Sequence, residues 1–230
     1  MVRRHARSRV APSAFVFPGG TVREDDSSAP FDGLSDRTDT PLPAAEAGTY
    51  FAAAIRELFE EAGVLLASSS SGELIGIDER DVNLQEELAA ARLSLQAREL
   101  SLAALLDRRG WRPAFAALVP FSHWVTPDVL AARFDTRFFV AAMPARQNAL
   151  HCTVETSEGI WLTPSQALDG EQYPVVYATA QHLRRLARFA RVSDLLDFAR
   201  RKPIRRVQPE VREAGSGLSV WLPPELVDAW

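Results

Sequence analysis

The run Arg56-Glu57-Leu58-Phe59-Glu60-Glu61-Ala62-Gly63-Val64 places three glutamates within five residues. At 100° per helical residue, Glu57, Glu60 and Glu61 fall within an arc of about 100°, while Phe51, Ile55, Leu58 and Ala62 gather on another face. One side of such a helix packs and the other presents carboxylates. They crowd its last turn, just before Gly63, which suits a left-handed C-terminal cap. There the macrodipole disfavours negative charge and like charges four apart repel, so a cation is expected. Clustered oxygen ligands are what Mg²⁺ or Mn²⁺ takes, and these ions bridge protein carboxylates to substrate phosphates. Neutralising Glu60 or Glu61 should then abolish the chemistry and leave the fold intact or slightly more stable. A bare Glu-x-x-Glu-Glu is usually an acidic surface helix, and only its neighbours argue otherwise.

Arg56, Glu57, Glu60, Glu61 and Gly63 match the second half of the Nudix box, R-E-U-x-E-E-x-G-U with U aliphatic. By average composition this arises by chance well under once in roughly a thousand chains of this size. Upstream, Phe17-Pro18-Gly19-Gly20 matches the strand and glycine turn that open the box. Phe121-Ser122-His123-Trp124, Arg133-Phe134-Asp135-Thr136-Arg137-Phe138-Phe139 and Glu158 ahead of Trp161 further resemble the Nudix branch that contains peroxisomal coenzyme A diphosphatase. Recognisable segments span about residues 13–168.

The resemblance implies a Nudix fold and metal-dependent hydrolysis of the diphosphate bond in a nucleoside diphosphate linked to another group, coenzyme A or an acyl derivative first. Activity on ADP-ribose or NADH, or a non-catalytic nucleotide-binding module, are the alternatives. It implies Glu57, Glu60 and Glu61 as ligands of Mg²⁺ or Mn²⁺, with Arg56 orienting one of them. Glu60, Glu61 and Glu158 are the general-base options, and Gly19, Gly20, Arg4 and Arg137 belong to the substrate side. Asp26 stands where the continuous box has a glutamate, but an insertion follows it and it is given no catalytic role. The coenzyme A signature upstream of the glycine turn is absent. Family members also have a strand pair before that turn, whereas here only residues 1–14 precede it. A partner chain or the chain's own tail is expected to cover the edge at residues 15–17, with a homodimer preferred.

Other residues carry weaker signals. His123, in an aromatic run, reads as a packed histidine. Arg133, Asp135 and Arg137 share a strand face as a salt-bridged support or a phosphate contact. Phe121 and Trp161 could stack on adenine, and core packing is preferred for both. Arg3, Arg4, Arg7 and Arg9 suit a basic mouth or plain solubility, while Arg184, Arg185, Arg188 and Arg191 suit a solvated helix face. Cys152, the single cysteine, reads as buried and inert, which fits a reducing cytoplasm.

These residues need elements to hold them. Residues 14–18 read as a short strand ended by the glycine turn, 24–47 as an inserted loop, and about 49–62 as a helix capped by Thr49. Residues 82–106 have the helical spacing of an inserted hairpin. Residues 115–121, 137–143 and 159–162 read as strands, 174–202 as helix broken near Val192, and the tail beyond is left unassigned. The interleaving predicts an α/β (α+β) fold with a mixed sheet between helices. Its main domain would cover residues 1–170, with a helical insertion at about 67–112, followed by a C-terminal helical extension at 171–230. With 230 residues and a net charge of −4 the chain can bury a sizeable core, and it gives no argument for a nucleic-acid partner. No stretch is long and apolar enough to predict a membrane span.

Overall fold

A computed structural model describes residues 1–28, 44–149, 156–214, 217–227 and 230. In chain order the elements are β1 (Val2–Arg4), β2 (Phe15–Val16), α1 (Ala44–Ala62), β3 (Ala67–Ser68), α2 (Val82–Gln96), α3 (Leu102–Arg108), β4 (Arg112–Pro113), β5 (Val119–Val125), β6 (Asp135–Val140) and β7 (Thr156–Gly159). They continue with α4 (Pro164–Ala167), α5 (Tyr177–Leu186), α6 (Val192–Arg201), β8 (Arg206–Val207), β9 (Glu210–Ala214), β10 (Gly217–Trp221) and α7 (Pro224–Val227). The expectation for Cys152 lies outside the described residues.

Two three-stranded sheets frame the molecule, ordered β2-β1-β7 and β6-β5-β8, with all pairings antiparallel except β5 with β8. The edge left open by the sequence reading is covered from within the chain: Val2 and Arg3 pair with Val16 and Phe15. The unassigned tail also contributes to a sheet, since β8 adds to β5 with Val207 fully buried beside Trp124.

α1 starts at Ala44, and Thr49 lies inside it instead of capping it. Ala44, Ala45 and Ala47 are strong helix formers and carry the helix across Gly48. The glycine cap is as expected, Gly63 having φ 70° and its N–H closing on the Phe59 carbonyl at 2.9 Å. The expected strand at 115–121 is instead a short 3-10 turn at Phe115–Ala117 followed by β5. Alanines there have weak strand preference, and Pro120, which cannot donate to a ladder, sits at a register shift. The strand expected at 159–162 lies earlier, as β7.

The inserted hairpin is part of the main core. Leu84, Leu88, Ala91 and Leu95 form one helical stripe on α2 and pack with Phe51, Ile55 and Phe59 of α1. α1 is thereby buried at its C-terminal end, and Glu57, Glu60 and Glu61 are buried there instead of lying on a wet face.

Candidate active site

Arg56 is fully buried, and its guanidinium organises the site. Nε and Nη2 donate to the two oxygens of Asp26 at 2.8 and 2.9 Å, Nη1 donates to Glu57 Oε1 at 2.6 Å, and Nη2 also donates to the Thr21 carbonyl at 2.9 Å. Burial by itself would lower its pKa, but hydrogen bonds and charges from Asp26 and Glu57 outweigh that and hold it above the ordinary arginine value. The fork therefore fixes Glu57 and ties the helix to the segment after the glycine turn.

The turn itself lies against the carboxylates. Gly19 N–H donates to Glu61 Oε2 at 2.9 Å. A Cβ on Gly20 would stand 2.4 Å from Glu57 Oε1, so only glycine admits this approach. Glu57 and Glu61, one helical turn apart and both nearly buried, thus face the same backbone turn.

Glu60, the third expected ligand, shares Arg56 Nη1 with Glu57 and is held from the other side by Arg23. Its oxygens accept from both Nη atoms of Arg23 at 2.9 Å, and Arg56 Nη1 lies 3.4 Å away. Desolvation raises its pKa, against the lowering influence of Arg56 and Arg23. Arg23 also donates to the Leu95 carbonyl at 2.9 Å, while Arg92 and Gln96 of α2 donate to the Glu60 carbonyl at 3.1 and 2.9 Å. That carbonyl is among the last of α1, which have no partner inside their own helix. The insertion supplies one, so α2 both caps α1 and latches onto it.

Arg23, Asp26, Arg92 and Gln96 are the residues that sequence reasoning missed. Asp26 had the right spacing after the glycines but was discounted for the insertion behind it, and nothing local marked the other three. Asp26 is held in turn by the Arg23 N–H at 2.7 Å.

The remaining expected residues lie elsewhere. Arg4 braces the first loop, its Nε donating to the Val10 carbonyl at 3.0 Å. Glu158, on β7 opposite Arg3, pairs with that arginine at 3.6 Å. Arg137 pairs with Asp135, which also holds His123 Nε2 at 2.9 Å, so this strand face is a salt-bridged support. Burial and then Arg137 lower the pKa of His123. Arg137 also lies 5.3 Å from the Tyr50 ring centre. Phe121 is core as expected, whereas Trp161 is 71% exposed and stands outside the core that was expected to hold it.

The donor set fits a hydrated divalent cation. Mg²⁺ is typically held by one or two carboxylates together with substrate phosphates, and Glu57 and Glu61 offer such a pair. Among the described residues no group of three or more His, Cys, Asp or Glu side chains is arranged to hold an ion alone. Among them, too, no helix is long and apolar enough to cross a membrane.

A helix ending in clustered carboxylates against a glycine turn, beside mixed sheets, defines a Nudix-fold enzyme. The crystal structure of a Nudix hydrolase from Alicyclobacillus acidocaldarius superposes with a TM-score of 0.66 at 22% identity, covering 85% of this chain and 86% of that one. A sequence model described as the NUDT19 Nudix domain matches residues 31–188, and the chain belongs to that family, an enzyme of the Nudix hydrolase class. Acyl-coenzyme A diphosphatase NUDT19 of Xenopus laevis is 25% identical over 97% of this chain and 69% of its own length. Its Gallus gallus counterpart is 27% identical over 99% and 68%, and putative nudix hydrolase 7 of Caenorhabditis elegans is 27% identical over 84% and 56%.

Proposed function

We propose that this enzyme hydrolyses the diphosphate bond of nucleoside diphosphate conjugates, with coenzyme A or acyl-coenzyme A as preferred substrate and Mg²⁺ or Mn²⁺ held by Glu57 and Glu61. The observation that carries the reading is that these two carboxylates face the Gly19-Gly20 turn. The names of the NUDT19 relatives support the substrate class. A divalent cation, when bound, neutralises phosphate oxygens and lowers the pKa of water.

The chain's own groups do the rest. Arg56, backed by Asp26, holds Glu57 in one orientation, and Gly20, lacking a side chain, lets that carboxylate lie against the turn. Water attacks phosphorus, a bridging P–O bond breaks, and a carboxylate takes the water's proton. For coenzyme A the products are 3′,5′-ADP and a phosphopantetheine. Glu60, locked by two arginines, is poorly placed as that base, which leaves Glu61 and the more exposed Glu158 for the role.

The test is kcat/KM for coenzyme A, an acyl-coenzyme A, dephospho-coenzyme A, ADP-ribose and NADH with each metal. Coenzyme A compounds should lead, and Glu57→Gln or Glu61→Gln should lower turnover at least a hundredfold. An advantage of tenfold or more for ADP-ribose or NADH, about 1.4 kcal/mol in transition-state binding, would refute the substrate assignment. Near-normal turnover by either variant would refute the ligand assignment.

A further inference from the structure

Both β2 and β7 run antiparallel to β1, with Val2 opposite Val16 on one side and Gly159 on the other. They therefore point the same way and leave the sheet at one edge. Three residues beyond Val16 is Gly19, bonded to Glu61. Two residues beyond Gly159 is Trp161, with 71% of its surface exposed. Two strand spacings, about 10 Å, separate the two exits. That is the reach of a nucleoside from its 5′-diphosphate to its base.

The indole is exposed on a backbone that is fixed. Before it, Met1 and Ile160 exchange hydrogen bonds of 2.7 and 2.9 Å. After it, Thr163 opens α4 with a capping box: its Oγ1 accepts from Gln166 N at 3.2 Å and its N–H donates to Gln166 Oε1 at 2.9 Å, with Pro164 following. A large flat ring on a rigid support loses little freedom when another ring is laid on it.

We propose that Trp161 is the stacking platform for the substrate's nucleobase, an assignment that rests on the diphosphatase reading above. A base needs only a flat ring, whereas a long acyl or pantetheine arm needs a concave apolar cleft. Trp161 lines neither the cleft bordered by Ile77, Arg80 and Arg146 nor the one bordered by Ser122, Arg137 and Ile204. Since every base has a π-face, the platform supplies affinity and position and leaves the choice of the attached group to other contacts.

The experiment is calorimetric binding of ADP and of inorganic pyrophosphate, each with Mg²⁺, to the wild type, Trp161→Ala and Trp161→Phe. Trp161→Ala should weaken ADP about tenfold or more and leave pyrophosphate within twofold, and Trp161→Phe should recover most of the loss. Kinetically, KM for nucleotide substrates should rise with kcat little changed. ADP affinity unaffected by Trp161→Ala, equal losses for ADP and pyrophosphate, a KM increase confined to acyl-coenzyme A, or no ADP binding by the wild type would each overturn the platform. Failure of the wild type to hydrolyse any diphosphate would instead sink the function, because the binding comparison requires no turnover.

Discussion

Replacing Glu60 by glutamine sets two physical effects against each other. Removing a negative charge from the last turn of α1 relieves its clash with the helix dipole and with Glu57, together about 0.5–1.5 kcal/mol. Against this, the Glu60 carboxylate is fully buried and holds Arg23 through two bonds of 2.9 Å. An amide offers one acceptor, and its NH₂ would point at an arginine donor. Breaking a buried ion pair by removing one partner costs about 3–5 kcal/mol. The low end applies, because burial raises the Glu60 pKa and already penalises its charged form, and because Arg56 retains Asp26 and Glu57. The net expectation is a loss of about 1.5–2.5 kcal/mol, or a fall in Tm of roughly 3–10 °C for a chain of this size. Thermal and urea unfolding followed by tryptophan fluorescence would measure it, and a double-mutant cycle with Arg23→Ala should give a coupling above about 1.5 kcal/mol. An unchanged or higher Tm for Glu60→Gln, or additive single variants, would refute the latch and restore the exposed-carboxylate view.

Two further outcomes are expected. Gly20→Ala should cut hydrolysis at least tenfold and lower Tm, because its Cβ would displace Glu57 from the buried Arg56, whereas Gly19→Ala, with nothing within 4 Å of its Cβ, should be mild in both; similar activities for the two variants would count against the close approach. His182 is buried among aromatic rings, accepts from Ser122 Oγ at 2.6 Å and donates from Nδ1 to the Ala178 carbonyl at 2.7 Å, and burial pushes its pKa down to about 4. The unfolded chain takes up that proton near pH 6.5 and the folded one does not, so stability should fall as pH drops from about 6.5 towards 4, by about 2 kcal/mol between pH 7 and 5. Urea midpoints across that range should show the slope in the wild type and a flatter one in His182→Gln, and equal slopes would exclude the histidine as its source.

The chemistry was legible because it is local. Glu57, Glu61, Arg56 and the Gly63 cap lie within nine residues of one helix, where spacing alone dictates which side chains share a face, and the glycine turn carries its own backbone signature. The inserted hairpin was legible for the same reason, as a stripe of leucines at helical period. Tertiary structure decided everything that depends on what covers a face. Glu60 is paired with Arg23, 37 residues away, and its carbonyl is capped by residues 32 and 36 positions further on. Asp26 lies 30 residues before its partner Arg56, and Trp161 stands outside the core at the sheet edge where the glycine turn also emerges. Helical periodicity shows which residues are neighbours along one element, but a buried charge can be held only by an opposite charge brought to it, and a short-range pattern holds no record of that long-range pairing.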